Sequence, residues 1–236
     1  MINGIDIASY QPETYPTSGL DFVFIKATEG TSYINPKMAR QAATARTAGL
    51  AVGFYHFLHP GNILDQARYF VAQCASLEGD MLVCDWETTA TGGRPTCAEK
   101  DAFLRAVKQL RPTHKVGLYC NTDYWLHRDT TSYAGDFLWI ADPNHPKGQP
   151  AIKAKWLVHQ WGQRGTDQDV AAFSSRSDLR NWCGYPTAPP KPAPKPVPVP
   201  PAPKPAPAPQ TKDQQQDARL AALETAVGKL AAKLGA

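Results

Sequence analysis

The sequence predicts an α/β fold, an irregular TIM-like parallel β/α barrel with few helices, followed by a proline-rich linker and a C-terminal helix. Three observations predict it. Eight short runs of strand length, most of them apolar, recur along the first 185 residues. Helical patterns separate the early runs, whereas the later connections read as loops. Each run closes on polar or aromatic residues, which a barrel of this kind gathers on one rim.

Taken in order, Ile2 to Ala8 (I-N-G-I-D-I-A) is the first strand. It holds Asp6 between Ile5 and Ile7, and a carboxylate inside such a strand needs a reason. Phe22 to Ala27 (F-V-F-I-K-A) is the second, closed by Thr28-Glu29-Gly30. Asn35 to Ala48 reads as a helix, with Pro36 suited to its first turn and Gly49 ending it. Ala51 to Phe57 is the third strand and Asn62 to Ser76 another helix. Met81 to Asp85 is the fourth strand, apolar throughout until its last residue, as a strand buried on both faces should be. Cys97 to Leu110 is a helix, with Thr96 as N-cap and Glu99 completing a capping box. Val116 to Cys120, Phe137 to Ala141, Trp156 to Trp161 and the short segment Thr166 to Val170 complete the eight.

All aromatic residues lie at or before Tyr185, so residues 1–185 carry the core and form one domain. That part holds 18 Lys and Arg against 18 Asp and Glu; the formal excess of +4 sits in the tail, 7 against 3. A neutral domain argues against nucleic acid as a partner. No apolar run is long enough to span a bilayer, so stable membrane insertion is not expected. The five cysteines show no C-x-x-C or metal-ligand spacing, and no metal or cofactor is expected. His56, His59 and His159 follow no ligand spacing either and read as structural. Strand-like residues begin at Ile2, so no signal peptide is read and synthesis in a host cytoplasm is expected.

The chemistry centres on Asp85-Trp86-Glu87. Residues two apart in a strand share a face, so this segment offers two carboxyls at the end of a buried run. Carboxyls in unequal environments separate into a protonated acid and an ionised partner; an isolated D-x-E is as readily a structural ion pair. The other strand ends tip the balance, because Asp6, Lys26, Tyr55, His56, Tyr119, Asp142, Gln160 and Asp167 would meet Asp85 on the same rim.

In order along the chain, G-I-D-I-A-S-Y-Q, F-I-K-A-T-E-G, G-F-Y-H-F, D-W-E, L-W-I-A and H-Q-W followed by T-D-Q-D-V resemble the motifs of glycoside hydrolase family 25 lysozymes. The resemblance covers residues 1–185. It implies an irregular barrel and cleavage of the β-1,4 bond between N-acetylmuramic acid and N-acetylglucosamine in bacterial peptidoglycan; such enzymes occur in bacteria and as phage endolysins, and with no signal peptide read, a phage endolysin that acts on the cell wall is expected. It also implies Glu87 as general acid, Asp85 as the carboxylate beside it, and Asp6 and Asp167 as further cleft acids. The family usually shows Asp-x-Asn in the last motif. Here the run is Asp167-Gln168-Asp169, so Asp169 competes with Asp167 for the fourth acidic position. Tyr55, Tyr119, Trp139 and Trp161 are candidate sugar-stacking walls, although aromatics are ordinarily core or rim filler. Gln160 and Asp169 are candidate substrate contacts. Glu29 either lines the cleft or only terminates a strand.

Residues 186–210 are a Pro/Ala/Lys-rich linker, with 13 Pro between Pro186 and Pro209, and should be an extended spacer. Residues 211–236 read as an amphipathic helix whose Leu220, Leu223, Val227, Leu230 and Leu234 form a short heptad seam. Homo-oligomerisation, surface binding through Lys229 and Lys233, and a poorly ordered end are its three readings. Two other functions compete with the muramidase: an inactive glycan-binding protein on the same barrel, and a chitinase-like glycosidase. Released reducing ends separate the first, and comparison of chitin with peptidoglycan the second.

Overall fold

A computed structural model describes residues 1–163 and 165–185; the expected linker and C-terminal helix lie outside the described residues. Nine strands form: β1 (Ile2–Ile7), β2 (Phe22–Glu29), β3 (Tyr33–Ile34), β4 (Ala51–Phe57), β5 (Met81–Asp85), β6 (Lys115–Asn121), β7 (Phe137–Ala141), β8 (Val158–Gln163) and β9 (Asp167–Ala171). Eight close into a barrel, in the order β1-β2-β4-β5-β6-β7-β8-β9 and back to β1, while the two-residue β3 only extends β2. Seven of the eight strands run in one direction, joined by six parallel pairings, as expected. The exception is β9, which is antiparallel to both β8 and β1. Only residues 164–166 separate β8 from β9, and a parallel crossover needs about a dozen residues or more.

Helices α1 (Met38–Thr47), α2 (Ile63–Gln73) and α3 (Cys97–Leu110) pack outside the first half of the barrel. The predicted capping box of α3 is present, with Thr96 and Glu99 satisfying each other's backbone N–H groups. Helix α1 starts later than its sequence suggests. Asn35 Oδ1 accepts from Lys37 N at 2.9 Å, so Pro36 sits in a turn ahead of the helix. Between β7 and β8 a loop replaces the helix. It is pinned by Asp142, whose Oδ2 accepts from Ala151 N (2.8 Å), and by His159, whose Nδ1 accepts from Gly148 N (3.1 Å).

Two apolar layers result. Outward-facing strand residues such as Ile25, Phe54, Leu82 and Leu118 pack on Ala45, Phe70, Phe103 and Val107 of the helices. His56 is buried in that layer, bonded to Thr28 Oγ1 at 2.8 Å and stacked on Phe103. Burial lowers its pKa to about 3, so it is neutral. Inside the barrel, Phe22, Phe24, Phe137 and Trp139 fill the lower and middle levels. The bore admits these rings only where neighbouring strands lack a side chain: a Cβ added at Gly4 would lie 2.3 Å from Phe22, at Gly53 2.3 Å from Phe24, and at Gly117 2.5 Å from Phe137. Unanticipated helix α4 (Arg176–Cys183) lies under the barrel, with Leu179 and Cys183 in the same interior cluster as Ile2, Phe22 and Ala51. Arg176 Nη2 bonds Leu20 O (2.6 Å), and Tyr185 OH bonds Asp80 Oδ1 (3.0 Å) while accepting from Val52 N (2.8 Å). One end of the barrel is thereby sealed.

Phe24 stacks on Trp139 with centroids 4.3 Å apart, so its ring has no room to retreat. Gly53→Ala should therefore cost about 1–3 kcal/mol of stability, read by denaturant unfolding. Combination with Phe24→Leu should recover part of that loss.

Candidate active site

The open end is built from the ends of the parallel strands and the beginning of β9. Asp167 lies opposite Asp6, and Asp169 opposite Gly4, on the shared ladder. Since alternate residues share a face, Asp6, Asp167 and Asp169 all point into the mouth. On β5 the strand ends at Asp85, but Trp86 N still donates to Tyr119 O at 2.9 Å. The alternation thus persists one step further. Trp86 turns outward, buried, with Nε1 bonded to Pro95 O at 2.7 Å. Asp85 and Glu87 on either side turn towards the mouth. Asp85 is buried and Glu87 half-buried. Asp6, Asp85, Glu87 and Asp167 are all near enough to Tyr119 to oppose ionisation of its hydroxyl. The four acids singled out in the sequence therefore share one site.

A hydrogen-bond chain orients them. Tyr119 OH donates to Gln160 Oε1 (2.9 Å), and Gln160 Nε2 donates to Asp6 Oδ2 (2.7 Å). Trp139 Nε1 donates to Asp169 Oδ1 (2.9 Å). These bonds revise several expectations. Trp139 is 2 % exposed and stacked on Phe24, so it presents no face to a sugar. Its ring fills the bore and its N–H holds an acid. Asp169 is 1 % exposed and lies beneath Asp6 as a support, too deep for a substrate contact. Gln160 has both ends of its amide engaged within the chain, which makes it an orienting group. Tyr55 and Tyr119 are half-buried and meet Trp139 edge-on, at 6.4 and 4.6 Å. Trp161 is half-buried under the Lys147 ammonium, 5.6 Å from its ring.

Glu29 belongs to a buried ionic cluster. A bulge between Lys26 and Thr28 shifts the alternation of β2, which brings Lys26 and Glu29, three residues apart, to one side. Lys26 Nζ bonds Glu29 Oε2 at 2.8 Å, and His59 Nε2 lies 2.9 Å from Glu29 Oε1. Lys26 is 4 % exposed and acts electrostatically on Asp85. The sequence placed Lys26 among the strand ends that meet on the rim but gave it no role; its pairing with Glu29 depends on the bulge in β2.

Electrostatics follow from burial. Burial, then the charge of Asp167, raises Asp6 to about 7, against opposition from the Gln160 hydrogen bond. Burial and then Glu87 push Asp85 well above the carboxylate range, with Lys26 pulling the other way. Burial and then Asp6 do the same to Asp169, and burial raises Asp167. Glu29 feels the same burial, but the His59 hydrogen bond and the Lys26 charge outweigh it and hold its carboxyl below the usual value. Two buried carboxyl oxygens, Asp85 Oδ1 and Asp169 Oδ2, have no hydrogen-bond partner among the described residues. Among those residues no group of three or more His, Cys, Asp or Glu is placed to hold a metal ion. The arrangement suits proton transfer and stabilisation of a developing positive charge.

A model of the family described as glycosyl hydrolases family 25 matches residues 5–170. The chain is similar to an N,O-diacetylmuramidase from Chalaropsis sp, 39 % identical over 145 residues, covering 52 % of this chain and 68 % of that protein. It is also similar to an N,O-diacetylmuramidase from Arthroderma benhamiae, 27 % identical over 202 residues, covering 76 % and 82 %. Its fold matches the solved muramidase from Acremonium alcalophilum with a TM-score of 0.68 at 25 % identity, over 78 % of this chain and 99 % of that one.

A carboxyl whose pKa is higher folded than unfolded stabilises the fold below its unfolded pKa and loses that contribution as pH rises through the folded value. For Asp6 the window runs from 3.8 to about 7. Asp6→Asn should match wild type near the bottom of that window and gain on it towards the top. The gain is bounded by ~1.4 kcal/mol per pH unit traversed, and thermal unfolding against pH measures it. Parallel profiles would contradict this placement of Asp6.

Proposed function

The chain belongs to glycosyl hydrolase family 25 and is a glycoside hydrolase of the lysozyme type that degrades peptidoglycan; from that premise we propose that it cleaves the β-1,4 bond between N-acetylmuramic acid and N-acetylglucosamine, with Glu87 as proton donor. The observation that carries the reading is the pairing of half-buried Glu87 with buried Asp85, whose Oδ1 has no hydrogen-bond partner among the described residues. Glycoside hydrolysis needs a proton for the leaving oxygen and stabilisation of an oxocarbenium-like centre.

Glu87 stands nearer solvent than Asp85, where a glycan oxygen can reach it. Asp85 Oδ1 is an acceptor without a donor, and the acetamido group beside the scissile bond carries an N–H. A hydrogen bond to a carboxylate favours its charged form. Substrate binding would then ionise Asp85 and leave the proton of the pair on Glu87. With its N–H held, the acetamido group can turn its own carbonyl oxygen towards the anomeric carbon. After the aglycone leaves with the proton, Glu87 is a carboxylate and can take a proton from the attacking water. Asp6, fixed by Gln160 and Tyr119, would supply the neighbouring negative charge that keeps the pair from ionising twice.

As the finer setting, we propose phage-encoded lysis of a bacterial host from within. It is supported by the likeness of the fold to the catalytic domain of endolysin ply40 from bacteriophage P40 of Listeria monocytogenes, with a TM-score of 0.61 at 22 % identity over 78 % of this chain and 97 % of that one. Cells expressing the protein should stay intact until the inner membrane is permeabilised and then clear abruptly; lysis without permeabilisation would overturn this setting.

Glu87→Gln and Asp85→Asn should fold with the wild-type circular dichroism spectrum yet lose about 10²–10⁴-fold in turnover on cell walls. Mass spectrometry of digested peptidoglycan should show muramic acid at the new reducing ends. Glucosamine ends, cleaved peptides or an active Glu87→Gln protein would each overturn the assignment.

A further inference from the structure

After β6 the chain makes a single π-helical turn, Tyr124–Arg128, closed by Asp129 N donating to Tyr124 O at 2.8 Å. Such turns are rare and cluster at functional sites. This one carries Tyr124, 3 % exposed, to a position between the two residues that flank Glu87. The Tyr124 ring meets Trp86 edge-on, centroids 4.8 Å apart at 87°. Its hydroxyl shares a 2.7 Å hydrogen bond with Thr88 Oγ1. One side chain therefore grips the residue before Glu87 and the residue after it.

Tyr124 is itself fixed. Its N–H donates to Asn121 Oδ1 at 2.9 Å, and the Arg128 guanidinium lies 5.1 Å from its ring. Arg128 is held in turn by Asp123, 3.0 Å from its Nε. By contrast, the segment beyond Glu87 has neither helix nor strand until α3, and Thr88, Ala90, Thr91, Gly92 and Arg94 are exposed. The strand fixes the approach to Glu87 through Trp86 N and Tyr119 O; the exit from Glu87 has no such ladder.

We propose that Tyr124 is a positioning residue for the proton donor: its ring and hydroxyl clamp Trp86 and Thr88 so that the Glu87 carboxyl is held at the glycosidic oxygen. The proposal rests on Glu87 being the donor. A general acid must stand within hydrogen-bond reach of the oxygen it protonates, and small misplacements of a reacting group cost rate more than binding.

The test measures kcat and KM on soluble peptidoglycan fragments for Tyr124→Phe, Thr88→Val, their double variant and Thr88→Ser, with Glu87→Gln alongside. Tyr124→Phe keeps the ring on Trp86 and removes only the hydroxyl; Thr88→Val removes the same bond from the other side. Each should lower kcat by about tenfold, with KM and the unfolding midpoint little changed. The double variant should be no slower than the slower single one, because both remove one interaction. Thr88→Ser should return kcat towards wild type. Unchanged kcat in both single variants, multiplying losses in the double variant, or failure of Thr88→Ser to restore the rate would overturn the clamp. In those cases an inactive Glu87→Gln protein leaves the donor assignment standing. An active one removes the donor assignment and the clamp together.

Discussion

Crowding five carboxyl groups at the mouth of a closed barrel sets the terms for everything else in this protein. Asp6, Asp85, Glu87, Asp167 and Asp169 each lie in the field of a neighbouring acid, and the charge of the buried Lys26 ammonium reaches Asp85. Burial and mutual repulsion oppose ionising them together. Protons therefore stay on the cluster at a pH where isolated carboxyls have lost them. The acidity needed for glycoside hydrolysis is a by-product of where the side chains are confined.

The rest of the barrel makes that confinement tolerable. Aromatic rings packed against glycines fill the bore beneath the acids, and Trp139 serves both purposes, as filler below and hydrogen-bond donor above. Charges are anchored in pairs or short chains: Tyr119 to Gln160 to Asp6, and Lys26 to Glu29 to His59. The Lys26 cluster has a further effect. By holding Glu29 ionised, it keeps a compensated ion pair beside Asp85 in place of a bare cation, and so moderates the pull of Lys26 on the acid.

Much of this was legible in the sequence because strands ending in chemistry leave a simple trace. M-L-V-C-D-W-E announces a buried strand and then breaks its own pattern, and Asp6 interrupts an isoleucine run in the same way. The capping box of α3 is a local signal and was readable locally. What escaped depends on distant partners. Trp139 looks like an exposed platform until Phe24, sequence-remote, is found against it. The direction of β9 follows from the brevity of residues 164–166, a constraint on connection length that the run of apolar residues does not express. Helix α4 has few apolar residues and is needed only because the barrel has an end to cover. The π-helical turn after β6 has no periodic signature at so short a length. The bulge in β2, which turns Lys26 and Glu29 to the same side, is likewise invisible without the partner strand.

Helix α4 and the rings above it carry a consequence for how the polymer is handled. A cylinder stoppered at its base and solid through its middle offers no tunnel. On the proposed reading a glycan strand would lie crosswise over the lip, and its two halves would depart sideways after the cut. Nothing in that geometry counts residues from a free terminus or requires one, so a cross-linked mesh with few loose ends is as accessible to attack as a linear thread.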